Sequence, residues 1–394
     1  MRKFTVLILA LATVSCSKKQ NTSPSGPSST PTLTVNNVQQ ERDSVATTNF
    51  SFSVSVSTPS SSAITFQYST QDGSAKAGTD YTAESATVTI PPNQSYVSIN
   101  IPVTGDSLRE NPKSFYVSLS NPTNATLGAT SKGTGVILCD GLYIPVDSSG
   151  YRSPLSYPGY NLVWDEEFNE GSLDQNSWNF ETGGNGWGNN ELENYTNNTK
   201  NCFITQRNYL VIEARYENLG NNHYTSARIQ TLGKREFQYG RVDIRAKLPS
   251  GQGLWPALWM LGSNINATPW PACGEIDMME VLGQHPATTY GTLHWGQVGT
   301  GGLQKGSSYT LPTSDFSQQF HVFSTIWTAD SIQWRVDDTP YFTALRTDIT
   351  GNNPFDQPFF FIFNVAVGGN WPGAPDGTTT FPQRMIVDYI RVFQ

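Results

Sequence analysis

The chain has 394 residues, enough for two or three domains, and a net charge of −8. Only 14% of its residues are charged while 12% are aromatic, which argues against a disordered chain and for packed domains. No cluster of Lys and Arg stands in the mature chain, so no nucleic-acid partner is expected.

Residues 1–15, MRKFTVLILALATVS, open on Arg2 and Lys3, run apolar and end in small side chains. That is the pattern of a secretory signal peptide, too short to span a bilayer. Thr13-Val14-Ser15-Cys16 resembles a bacterial lipobox, with Thr13 where Leu is usual. The resemblance implies lipidation at Cys16 and an exported lipoprotein at the outer membrane or cell surface, its acyl chains the membrane contact. The alternative is an ordinary secreted protein. Residues 16–32 are rich in Ser, Thr and Pro and form a flexible tether. Cys139, Cys202 and Cys273 remain, an odd number whose spacing fits no metal motif.

Residues 33–140 alternate apolar and polar side chains in short runs such as FSFSVSVS (50–57) and YVSINIPV (96–103). Period two, broken by Gly, Pro and Asn, means antiparallel strands in a sandwich. DGSAKAGTDY (72–81), TIPPNQSYVSINIPV (89–103), SFYVSLSNP (114–122) and GTGVILCDG (133–141) resemble the Calx-beta domain, an immunoglobulin-like β-sandwich. Some members bind calcium through acids at one end. The matching positions here are Glu41, Asp80, Asp106, Glu110 and Asp140, without the runs of adjacent acids seen in calcium-binding members. The alternative is a structural spacer or adhesion module.

All ten tryptophans fall between Trp164 and Trp371. That shift marks a boundary, with residues 141–157 as linker and 158–394 as a second domain. LVIEARY (210–216), GRVDIRAKL (240–248), TTYGTLHWG (288–296), IQWRVDD (332–338), PFFFIFNVAVGG (358–369) and MIVDYIRVF (385–393) read as strands. With no helical periodicity, the whole protein is all-β, and the second domain is one large sandwich or jelly roll.

GEIDMMEVLG (274–283) carries three acids on a strand that otherwise looks buried. Glu275 and Asp277 share a face, because side chains alternate along a strand. Glu280, five positions on, falls on the other face unless a β-bulge at Met278-Met279 absorbs one residue. A bulge would align all three. Four strand steps of about 3.3 Å separate the outer Cα atoms by about 13 Å, which two Glu side chains on a concave sheet can narrow. A carboxylate gap of about 5 to 5.5 Å suits a retaining glycosidase, and roughly 6.5 to 9.5 Å an inverting one. Like charges this close repel, so a function should compensate for the lost stability.

GEIDMME in this bulged form resembles the signature of glycoside hydrolase family 16. The likeness continues through WDEEF (164–168), GGNGWGNNELENYT (183–196), SARIQTLGKREFQYGRVDIRAKLP (226–249), GLWPALWMLG (253–262), FNVAVGGNWPG (363–373) and VDYIRVF (387–393). Among its subgroups the chain looks most like the bacterial laminarinases, endo-acting β-1,3-glucanases. The resemblance implies a concanavalin-like β-jelly roll with a cleft across its concave sheet. It also implies Glu275 as nucleophile, Glu280 as acid and base, and Asp277 tuning them. Mixed-linkage β-1,3-1,4-glucan and a galactan such as agar stay open as substrates. A non-catalytic glycan-binding protein is the reading from another class, and an adhesin driven by the first domain a further one.

Trp255 and Trp259, four apart, share a face if their segment is a strand, where they could stack on sugar rings. Trp187 sits in a Gly/Asn-rich loop and Trp371 in GGNWPG. Asn190, Glu191, Arg228 and Asn364 could bond sugar hydroxyls, and His294 falls on a neighbouring strand. No cofactor is expected for catalysis. The resemblance implies one structural calcium, with Glu167 and Asp388 taking part. The expected partner is a β-glucan, and the expected state a monomer.

Overall fold

The computed structural model describes residues 30–299 and 302–394. The signal sequence, Cys16 and nearly all of the tether lie outside the described residues. Among the described residues every regular element is a strand apart from one 3-10 turn, Arg346–Asp348.

Two sheets of four and five strands make up the first domain. Its core is filled from alternate positions, as in Phe50, Phe52 and Val54 of Thr48–Val56. The acids matched to a calcium site are already neutralised from within. The buried Arg42 lies 2.9 Å from Asp106, 2.9 Å from Glu110 and 3.5 Å from Asp80. Lys113 adds contacts at 2.9 Å to Asp80 and 2.7 Å to Glu110. Asp140 and Glu41 turn instead to Arg215 and Lys200 of the second domain, at 2.8 and 3.1 Å. Calcium needs six to eight oxygens, and these already hold cationic side chains, so the set does not fit the ion.

Beside those pairs, Arg109 of the first domain donates to both oxygens of the fully buried Glu213, at 2.7 and 3.0 Å. The linker is strapped down as well. The buried Arg245 donates to the carbonyls of Tyr151 and Ser148 at 2.6 and 2.8 Å. Tyr157 donates to Asp243 at 2.7 Å.

The second domain stacks a ten-stranded sheet on an eight-stranded one. The latter consists of β1 (Asn179–Glu181), β2 (Arg228–Gln230), β3 (Glu236–Phe237), β4 (Leu254–Gly262), β5 (Glu275–Val281), β6 (Thr288–Trp295), β7 (Leu303–Thr310) and β8 (Phe359–Val367). The order across it is β1-β2-β8-β4-β5-β6-β7, with β3 also paired to β8. Between the sheets lie Trp178, Trp334, Phe361, Phe363 and Ile244, all almost fully buried. The other face of the eight-stranded sheet carries the site.

The expected bulge is present. Leu258 and Trp259 of β4 pair with Met279 and Asp277, so Met278 is the extra residue. Against β6, Asp277 pairs with Thr292 and Glu280 with Tyr290, the same one-residue slip. Both methionines enter the core, at 2% and 0% exposure, and this rotates Glu280 onto the face of Glu275 and Asp277. A bulge interrupts ladder bonding, and a buried carbonyl needs a donor. Trp334 supplies one, its Nε1 donating to the Asp277 carbonyl at 2.7 Å.

Candidate active site

The open face of the sheet forms a cleft of about 1040 Å³. Glu275, Asp277 and Glu280 of β5 stand on its floor. Beside them are Trp255, Ala257, Trp259 and Leu261 of β4, then Tyr290, Thr292 and His294 of β6. Both sets follow period two, which turns alternate residues of a strand to one side.

Each acid has its own company. Trp255 Nε1 donates to Glu280 Oε1 at 2.9 Å. His294 Nε2 stands 3.2 Å from Asp277 Oδ2 and 3.7 Å from Glu275 Oε1. Burial and the Asp277 charge push the Glu275 carboxyl up to about 8, against smaller opposing pulls from His294, Trp270 and Arg228. Burial lifts Asp277 to about 8 as well. Glu280 goes well above the usual range through burial and the charges of Asp277 and Glu275. The three therefore cannot all ionise at neutral pH. Burial and mutual repulsion keep protons on the cluster, and a Glu280 carboxyl raised in this way is protonated at neutral pH, as a general acid must be.

The walls are aromatic. Trp371 packs edge-on to Trp255 and Tyr290, with ring centres 5.5 and 5.0 Å apart. Trp187 has a positive φ of 46°, unusual for a bulky residue, and its Nε1 donates to the Gly183 carbonyl at 3.0 Å. Arg228 lies 4.8 Å from the ring centres of both Trp187 and Trp259, and it pairs with Glu181. It bridges two aromatic walls and fixes their orientation.

Two expected sugar contacts are redirected. Asn190 does not line the cleft. Its amide donates to Asn370 at 2.8 Å and ties two rim loops together. Asn364 reaches the cleft but is committed on both ends of its amide. It accepts from Trp259 Nε1 at 2.8 Å and donates to Tyr195 Oη at 3.0 Å. It positions Trp259 rather than presenting a free amide. Trp187, Glu191, Arg228, Trp255, Trp259, His294 and Trp371 all line the cleft.

Glu167 and Asp388 do not form a calcium cage. Arg391 engages both oxygens of Glu167, at 2.6 and 3.0 Å. Arg245 and Arg152 engage Asp388 at 2.6 and 3.1 Å. Among the described residues, the three-residue cluster with ligand atoms within 4.8 Å of one another is Glu275, Asp277 and His294. Three donors fall short of calcium's six to eight. Cys139, Cys202 and Cys273 are free and buried.

Sequence reasoning missed Trp270, Tyr290, Gln304 and Ser308 on the cleft surface. Tyr290 was within reach, since stepping back by two from His294 gives Thr292 and then Tyr290. Gln304 and Ser308 lie on β7, a polar edge strand without apolar alternation, and Trp270 sits in an irregular segment.

Coupled carboxyls with raised proton affinity on the floor of an open, aromatic-walled cleft are the apparatus of a glycoside hydrolase. The family model of glycosyl hydrolases family 16 matches residues 189–391, and that of the Calx-beta domain residues 32–141. Over 248 residues the chain is 41% identical to the β-glucanase of Rhodothermus marinus, covering 60% of this chain and 86% of that protein. It is 42% identical over 224 residues to a glucan endo-1,3-β-glucosidase of Cryptopygus antarcticus, covering 54% and 82%. Among solved structures, the laminarinase catalytic domain of Thermotoga maritima shares 49% identity at a TM-score of 0.57, covering 60% of this chain and 98% of that one. The chain belongs to glycosyl hydrolase family 16.

Proposed function

We propose that this enzyme is an endo-acting, retaining β-1,3-glucanase. The carrying observation is the single bulge at Met278, which sets Glu275, Asp277 and Glu280 on one face of β5. Glu275 attacks the anomeric carbon as Glu280 gives its proton to the departing glycosidic oxygen. The C–O bond breaks and a glycosyl ester forms on Glu275. Glu280, now ionised, takes a proton from water, which attacks the same carbon and frees the sugar. Asp277 stays beside Glu275 and holds the remaining proton balance. A cleft open along the sheet suits cutting within a chain, and the names of the similar proteins favour a β-1,3-glucan. The enzyme is anchored through acylated Cys16 at a bacterial surface, and the first domain spaces it from the membrane. Replacement of Cys16 by Ser would then release active enzyme into the medium.

The test is product release from laminarin, lichenan and agarose, side by side. Short β-1,3-oligosaccharides from laminarin, ahead of lichenan, are expected. Cleavage of lichenan or agarose alone would keep the catalytic strand and overturn the substrate. Inertness on all three would favour glycan binding without cleavage.

A further inference from the structure

A second pair of acids lies behind one wall of the cleft. Glu193 is fully buried, on the short strand Glu193–Tyr195. Its Oε2 accepts the Val367 amide at 2.6 Å, while Oε1 has no donor. Among the described residues no cation pairs with it. Its polar neighbour is the Glu191 carboxyl. Glu191 is 6% exposed, lines the cleft, and accepts from Tyr195 Oη at 2.9 Å and Asn189 Nδ2 at 3.2 Å.

We propose that Glu193 is held as the neutral acid and donates its proton to Glu191, so that the two form one hydrogen-bonded dyad orienting Glu191 toward sugar hydroxyls. An ionised carboxylate in this position would sit in the dry interior with only backbone N–H groups for donors, beside a second acid. A proton resolves both problems, because it turns Oε1 into a donor whose available acceptor is Glu191. Burial and the Glu191 charge do raise the affinity of Glu193 for that proton. Glu191 then receives three donors, from Glu193, Tyr195 and Asn189. Of the roughly four acceptor sites of a carboxylate, about one is left for the cleft.

The arrangement continues toward the aromatic wall. Tyr195 accepts from Asn364, and Asn364 accepts from Trp259. Every donor in that line points one way, from Trp259 to Glu191. The titratable groups facing Glu193 are Glu191 and Tyr195, with Arg228 acting on Tyr195 from farther off. Glu193 is thus a positioning residue. It touches no sugar, and its effect falls on binding rather than on bond cleavage.

The sugar partner rests on the glucanase reading, but the shared proton does not. Two measurements separate them. In infrared difference spectra at neutral pH, wild type minus Glu193→Gln should show a protonated-carboxyl C=O band, present with or without substrate. In kinetics on laminarin, Glu193→Leu should raise KM by about tenfold, the loss of one hydrogen bond to a charged group, with kcat little changed. Glu193→Gln is neutral and keeps a donor, so it should restore KM and abolish the alkaline rise in KM that deprotonation of Glu193 causes in wild type. Absence of the band, or a Glu193→Gln profile that keeps that alkaline rise, overturns the dyad. Should Glu193→Leu not fold, the Gln variant decides alone. A band with no cleavage of any glucan would sink the substrate reading and leave the dyad standing.

Discussion

Replacing Glu275 by Gln should stabilise the protein, by an amount that grows with pH. In the folded state burial and Asp277 raise this carboxyl from 4.5 to about 8. The folded state therefore holds the proton more tightly than the unfolded one. Stability is fully present below about pH 4.5 and is lost as pH climbs toward 8. At about 1.4 kcal/mol per pH unit, the ceiling at pH 7 is about 3 kcal/mol. Glu275 keeps 16% of its side chain exposed and shares the proton balance with two neighbours, so roughly half of that, about 1 to 2 kcal/mol, is expected. For a domain of this size that is roughly 3 to 6 °C in Tm. Glutamine fills the same space without a charge. The assay is thermal unfolding of wild type and Glu275→Gln from pH 4.5 to 8, followed by circular dichroism. The gain should be near zero at pH 4.5 and largest at pH 8. A gain that does not change with pH, or a variant less stable at pH 8, would refute the buried like-charge argument.

Trp255→Phe keeps an aromatic wall but removes the N–H that favours ionised Glu280. The alkaline limb of the kcat profile should move to higher pH, and kcat should fall by about tenfold; an unmoved limb would disconnect Trp255 from the acid. In the first domain, calcium and chelator should both leave the wild-type Tm unchanged, because Arg42 and Lys113 already neutralise Asp80, Asp106 and Glu110. Arg42→Ser leaves those acids short of a partner and should cost about 3 kcal/mol, with calcium recovering part of the loss. A calcium-dependent Tm in wild type would contradict that account.

Much of this fold is legible because strands write their burial into alternation. FSFSVSVS places Phe50, Phe52 and Val54 inside, and the structure agrees. The catalytic strand is legible because an acid spacing that breaks period two makes sense only with a bulge. Long-range partners are not written that way. Nothing local to Arg42 announces that it meets acids 38 to 68 positions away. The same holds for Arg391 with Glu167 and Arg245 with Asp388, where matched motif positions suggested calcium and tertiary pairing supplied arginine. Asn364 was visible as a polar residue on an apolar strand, but its commitment to Trp259 and Tyr195 depends on neighbours brought in by other strands.

The division of labour between Glu275 and Glu280 is tested most directly by azide rescue of two variants on an activated laminari-oligosaccharide. In Glu280→Ala the glycosyl ester still forms on Glu275, and azide should attack it to give the β-glycosyl azide. In Glu275→Ala azide takes the place of the missing nucleophile and should give the α-glycosyl azide. Those two products, distinguished by NMR, are the result expected here. The opposite pairing, or an α-azide from both variants, would contradict the assignment of Glu275 as nucleophile and Glu280 as acid and base.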